Sequence, residues 1–217
     1  MTADSASINL THHFLIAMPS LEDETFAKSV VYVCEHSERG ALGLVINKPS
    51  DLSMESLFDK VDLSLRHQDL MNAPVLKGGP VHTERGFVLH DAMLVDVPVG
   101  EEAQEAAALS AVSDKESAKE SVYASTMTIP GGLEMTTSKD VLEALSMGAG
   151  PKRVLISLGY SAWGEGQLES ELAENSWLTV GADTAVIFDT PVEQRYARAM
   201  KLLGLEPWML SNDVGHS

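Results

Sequence analysis

Three neighbouring residues, Cys34-Glu35-His36, bring the most reactive side-chain types together. On a strand, Cys34 and His36 point to one face and Glu35 to the other. A thiol beside an imidazole is the raw material of a nucleophile. The competing reading makes Cys34 a small core hydrophobe within the apolar run 29–36. That reading is favoured, because a nucleophile needs exposure and an orienting partner. Seven histidines invite a metal site. None shows the i, i+4 spacing of His-Glu-x-x-His, and no Cys-x-x-Cys occurs. A metal set would need His36, His90 and Asp91 to converge in space, and satisfied structural histidines are the favoured account. No metal and no other cofactor is expected.

Two glycine-rich stretches come next. Lys77-Gly78-Gly79-Pro80-Val81 can turn backbone N–H groups toward an anion. It lacks the Gly-Lys-Ser/Thr ending of a nucleotide-binding loop. A tight turn in which glycine supplies an unusual φ is favoured. The stretch 159–168 joins a predicted strand to a predicted helix, a common location for ligand sites. Its glycines do not follow the dinucleotide spacing, and Ser161 does not sit in a Gly-x-Ser-x-Gly elbow. Glu165, Glu169 and Glu171 would repel a phosphate there. Tyr160 and Trp163 are expected to pack the loop onto the core, with a binding cleft second.

The elements that must position these residues are partly legible. Residues 13–18 read as a strand. Residues 29–36 and 41–47, joined by Ser37-Glu38-Arg39-Gly40, read as a β-hairpin that is apolar on both faces and therefore central. Pro49 is expected to stop the second strand. Residues 52–61 read as a helix capped by Ser53, with a Leu52/Leu57 staple. Strands are expected at 86–90, 153–158, 177–180 and 185–188; Val75-Leu76 leads into the glycine turn, and order is expected to return at 123–129. Thr137 and Asp140 have capping-box spacing for a helix closed by Gly148. Residues 166–175 read as a helix. Thr190-Pro191-Val192-Glu193 reads as a helix start, with the helix running to about Leu203 and Gly204. An early antiparallel hairpin followed by alternating strands and helices predicts α+β: a mixed, largely antiparallel or barrel-like sheet flanked by helices.

Composition bounds the function. The 217 residues are 44% hydrophobic and 22% charged, ordinary for a globular chain. Lys+Arg 15 against Asp+Glu 32 gives a net charge of −17. Such a surface repels phosphate backbones and anionic lipid, so neither direct nucleic-acid binding nor membrane docking is expected. No apolar run approaches the ~20 residues of a spanning helix. One cysteine and a polar N-terminus without a leader pattern fit a cytoplasmic protein. Residues 96–120 hold seven acids and much alanine, and read as a solvated helix or a mobile insertion.

Long motifs in order resemble the bacterial YqgE/AlgH family. They are Phe14-Leu15-Ile16-Ala17-Met18-Pro19, Ser29-Val30-Val31-Tyr32-Val33-Cys34-Glu35-His36 and Gly43-Leu44-Val45-Ile46-Asn47-Lys48-Pro49. Gly78-Gly79-Pro80-Val81, Arg85-Gly86-Phe87-Val88-Leu89-His90, Thr136-Thr137-Ser138 with Asp140, and Leu158-Gly159-Tyr160 through Trp163 to Gln167-Leu168-Glu169 follow. The resemblance implies one α+β domain over residues 1–217, in a family of bacterial cytosolic proteins. Some members are named as regulators, including of alginate synthesis. It carries over no catalytic residue. Two departures stand out: the 96–120 segment looks inserted, and Tyr123 stands where tryptophan is expected. Motif positions supply the candidate ligand-binding residues: Glu35, His36, Asn47, Gly78, Gly79, Arg85, His90, Tyr160, Trp163 and Gln167. The leading expectation is a non-enzymatic regulator acting through a protein or small-molecule partner. The alternatives are a hydrolase or metal protein built on His36, His90 and a carboxylate, and a protein-interaction module.

Overall fold

In the computed structural model, which describes residues 8–65, 68–97, 118–205 and 209, one strand organises the sheet. It is β11 (Val154–Trp163). Its first half pairs antiparallel with β6 (Val81–Asp91) and parallel with β5 (Pro74–Lys77). Its last three residues pair with β3 (Gly40–Val45). The partner switch falls at a register shift between Leu158 and Tyr160, where Gly159 takes φ +71°. Beyond β3 come β2 (Val30–Ser37), β1 (His13–Ala17) and β12 (Trp177–Gly181). Beyond β6 come β10 (Leu133–Thr136) and β9 (Thr126–Ile129), while β4 (Pro49–Ser53) pairs with β5. The sheet is mixed, largely antiparallel and curled as a half-barrel with helices on it, so the α+β expectation holds.

Both faces of the sheet are buried here, which is why β1 is apolar from Phe14 onward and β2 as far as Cys34. Phe14, Ile16 and Tyr32 enter one cluster with Leu89 and Met200. Leu15, Ala17, Val31 and Val33 enter another with Trp163, Leu168 and Trp177. The helices α5 (Thr184–Phe188) and α6 (Arg195–Leu202) supply Val186, Ile187, Ala199 and Met200 to the first cluster. The helix α4 (Gln167–Ala173) covers the second through Leu168. A third cluster lies where α1 (Met54–Lys60) and α3 (Asp140–Ser146) pack on β6 and β11. The short α2 (Gln68–Met71) follows α1.

Five local expectations fail for definable reasons. Residues 185–188 are helical, because Asp183 Oδ1 accepts from Ala185 N at 2.9 Å and starts a single turn. An apolar run of four cannot by itself distinguish strand from buried helix. Pro49 begins β4 rather than only ending β3, an allowed place because the first residue need not donate to the ladder. Thr137 and Asp140 form no capping box: Lys139 is the N-cap, and Thr137 Oγ1 donates to Ser125 O. Thr190 does not cap its helix; its hydroxyl donates to Ala185 O at 2.9 Å, and a 3₁₀ turn (Val192–Gln194) precedes α6. The stretch 159–163 continues β11 instead of leaving the sheet. The acidic segment is bounded by β7 (Leu94–Val97) and β8 (Ala118–Ser121), which pair as a separate two-stranded ribbon. The helix or mobile insertion expected over 96–120 is strand at its described ends, 96–97 and 118–120, and its middle, residues 98–117, lies outside the described residues.

Candidate functional site

The pair that looked most reactive is split by a β-bulge. The β2–β3 register shifts between Val33 and Glu35, making Cys34 the extra residue. Cys34 stays with Tyr32 in the first core cluster. His36 falls on the side of Leu10 and Leu168 instead, and Glu35 is exposed. The expectation that Cys34 and His36 share a face is thus corrected. Cys34 is 2% exposed, and burial pushes its thiol far above the usual range. We expect a thiol reagent to leave the native protein unlabelled over minutes and to label it at once in denaturant. Labelling as fast in the native state would contradict this packing.

His36 is also occupied. Its Nδ1 accepts from Leu10 N at 3.0 Å, which fixes the proton on Nε2, and Nε2 donates to Glu169 Oε1 at 2.9 Å. The accepting lone pair of a general base is already used. His90 sits elsewhere. It pairs with Val154, whereas His36 pairs with Ala41 and Ala41 with Trp163. The two histidines therefore lie near opposite ends of β11, about 30 Å apart at ~3.3 Å per residue. Asp91 is claimed by Arg153, whose Nη2 donates to Oδ1 at 2.6 Å. No group of three or more His, Cys, Asp or Glu among the described residues could hold a metal ion. Geometry therefore removes a centre that uses both His36 and His90.

His90 is part of a buried polar chain. Its Nδ1–H donates to Asp91 O at 2.8 Å, and Nε2 contacts Thr136 Oγ1 at 2.9 Å. Thr136 Oγ1 contacts Thr126 Oγ1 at 2.6 Å. Tyr123 lies edge-on to the His90 ring at 5.6 Å. This is a satisfied structural histidine.

The remaining candidates divide the same way. Asn47 Oδ1 accepts from Val30 N and its Nδ2 donates to Lys28 O, both at 2.8 Å, which ties β2 to the end of β3. Gly78 leaves no space for a side chain: a Cβ there would lie 2.2 Å from Gly159 O. Tyr160 packs on Phe87 at 5.2 Å. Trp163 and Gln167 donate to the two carboxylate oxygens of Glu171, from Nε1 at 2.9 Å and Nε2 at 3.0 Å. Sequence reasoning missed Glu171, having read it only as a charge repelling phosphate. Arg85 is exposed on β6.

What does converge is a groove on the third cluster. One cavity of about 540 Å³ has an aliphatic floor of Leu57, Val88, Leu142 and Ile156. Lys60, Lys139 and the run Thr136-Thr137-Ser138 form its rim. A second cavity of about 660 Å³ is lined by Lys48, Lys77, Gly79, Pro80 and Thr25. Leu52, Thr83 and Leu158 line both, so the two lie side by side along one groove. Gly86 opens the first cavity, since a Cβ there would meet nothing within 4 Å. Of the ten candidates, Gly79 alone lines this groove among the described residues. Two candidates miss it by one position, Asn47 beside Lys48 and Arg85 beside Gly86.

A family profile described as AlgH-like matches residues 14–208. The chain belongs to the AlgH-like family. A UPF0301 protein of Paracidovorax citrulli is 73% identical, with both chains covered in full. A UPF0301 protein of a Polaromonas species is 69% identical, again over the whole of both chains. The solution structure of the AlgH protein from Pseudomonas aeruginosa matches with TM-score 0.68 at 41% identity, covering 98% of each chain. The crystal structure of protein DIP2367 from Corynebacterium diphtheriae matches with TM-score 0.64 at 17% identity over 94% of this chain and 92% of that one, a likeness of fold. Five of the stretches that resemble the YqgE/AlgH motifs, those around Lys48, Gly79, Gly86, Thr136 and Leu158, meet at the groove.

Proposed function

We propose that this AlgH-like protein is a cytoplasmic, non-enzymatic regulator that takes a small-molecule ligand in the α1/α3 groove and acts through a protein partner. The observation that carries this reading is the meeting of five separate motif stretches around two adjacent cavities that share walls, one of them apolar-floored and polar-rimmed. That combination is what small-molecule sites are made of. The net charge of −17 supports an effect on transcription that is indirect, since a DNA reader needs a basic face. Among the described residues no helix is long and apolar enough to cross a membrane.

A protein-interaction module has one observation of its own. Leu94, Val95 and Val122 are large and exposed on or beside the β7–β8 ribbon. Leu94 and Val95 are successive strand residues and face opposite ways, so they do not make one patch. The groove is the better-supported site.

Gly86→Phe tests the reading. The substituted ring enters open space on a strand, so melting temperature should stay level or rise slightly. Wild type is screened by thermal shift against metals, nucleotides, metabolites and amphiphiles, and each binder is repeated on Gly86→Phe. A ligand at 100 times its Kd stabilises by about 2.7 kcal/mol. We expect at least one saturable shift that Gly86→Phe removes. A flat screen, or a shift that survives the substitution, overturns the proposal.

A further inference from the structure

We infer that the groove takes an aliphatic chain ending in an anion, with the carboxylate or phosphate held between Lys48 and Lys77. This rests on the groove being a ligand site and names the ligand's chemistry.

The floor comes first. Every apolar side chain that lines the two neighbouring cavities among the described residues is aliphatic, and no aromatic ring lines either. A nucleobase or other flat ring finds no stacking surface there. A flexible hydrocarbon matches branched aliphatic walls, and the two cavities share Leu52, Thr83 and Leu158 as common walls.

The charged end comes second. Lys48 and Lys77 are held side by side, because Lys77 N donates to Lys48 O at 2.8 Å. Both side chains line the same cavity, together with the hydroxyl residues Thr25 and Ser50. Lys48 is half-buried, and its ammonium donates to Thr25 O at 2.6 Å. Burial pulls this ammonium below its usual range; Asp23 opposes that shift and Lys77 adds to it. An anion placed between the two lysines relieves both the desolvation and the mutual repulsion. Glu24 and Asp51 also line this cavity, and Asp51 Oδ2 lies 3.9 Å from Lys77 Nζ. That pair is largely exposed, so it competes weakly with a ligand anion. In a chain of net charge −17, two lysines converging on one apolar groove mark where a negative group is tolerated.

The test uses the full chain and four probes: dodecanoate and dodecyl phosphate below their micelle-forming concentrations, dodecanol below its solubility limit, and inorganic phosphate. Binding is followed by calorimetry and by amide NMR shifts. Dodecanoate and dodecyl phosphate should both bind saturably and shift amides of residues 48–52, 77–83 and 156–158. Dodecanol should bind at least tenfold more weakly, and inorganic phosphate should not saturate. Lys77→Met alters an exposed side chain, so the fold is kept. It should weaken both anions at least tenfold and leave dodecanol unchanged; Lys48→Met should do the same. Gly86→Phe should abolish binding of all three chains. Dodecanol binding as tightly as the anions overturns the inference, and so do anions indifferent to both lysine substitutions. If both anions fail while another compound gives a shift that Gly86→Phe removes, the ligand class is wrong and the groove stands. If no compound gives such a shift, both fall.

Discussion

Gly79→Ala should melt about 10 °C below wild type or aggregate on expression. Gly79 has φ +154°, and an added Cβ would lie 2.3 Å from the carbonyl carbon and oxygen of Tyr160 and 2.4 Å from Ser161 N. These are backbone atoms of β11 at its bulge, so no side-chain rotation can relieve the contact. Either β5 or β11 must move. Moving them breaks a dense set of bonds: Gly78 N donates to Leu158 O and Val45 N donates to Gly78 O, both at 2.8 Å, and Ser161 Oγ donates to Gly78 O at 3.2 Å. Forced overpacking costs about 1–3 kcal/mol, and an unfavourable backbone conformation about as much again. Domains are stable by only about 5–15 kcal/mol. At this chain length each kcal/mol shifts melting by roughly 2–4 °C, so a fall of about 10 °C or aggregation on expression is expected. A circular-dichroism melt decides it, with Gly86→Ala as the companion variant that has open space. A Gly79→Ala protein melting within a few degrees of wild type would show that the strands are not this close.

The same glycines explain what could be read in advance and what could not. A Gly-Gly-Pro run between two strands announces a special backbone, and Gly78-Gly79 do sit where two strands nearly touch. The sequence could not say that the close partner is a bulge some 80 residues later, at Gly159-Tyr160. The central β-hairpin was legible because its residues are apolar on both faces, and both faces are buried. Cys34 and His36 were misread because strand alternation was assumed to continue through a bulge that leaves no mark in residue types. The single turn at Thr184–Phe188 was misread because Asp183 decides it, and a four-residue apolar run carries no period. The groove was half legible. Its walls come from motif neighbours whose own types, lysine, glycine and threonine, are unremarkable in isolation. Only the curl of the sheet brings β4, β5 and β6 to one place beneath α1 and α3.

Glu171→Leu carries the second large effect, and it turns on a charged residue acting as the hub of an aromatic cluster. Glu171 Oε2 accepts from Trp163 Nε1 at 2.9 Å and from Trp177 Nε1 at 2.8 Å, while Oε1 accepts from Gln167 Nε2 at 3.0 Å. The two indoles are 5% and 4% exposed and pack edge to face at 6.1 Å, with Phe26 against both. Leucine supplies comparable apolar bulk and no acceptor. Two buried N–H donors are then orphaned at about 1–3 kcal/mol each. The expected loss is about 2–5 kcal/mol, or a melting temperature lower by roughly 5–15 °C. Glu171→Gln keeps one oxygen toward the indoles and should lose distinctly less, so the pair of variants separates acceptor loss from altered packing. Tryptophan fluorescence gives an independent reading, because α4 loosened from β12 admits water to both rings and shifts emission to the red. A leucine variant as stable as wild type, with unshifted emission, would mean that shape alone holds this helix and that the carboxylate is incidental. The expected outcome assigns Trp163, Gln167 and, through Glu169 on the same helix, His36 to anchoring α4 on the sheet, and leaves the α1/α3 groove as the surface free to bind.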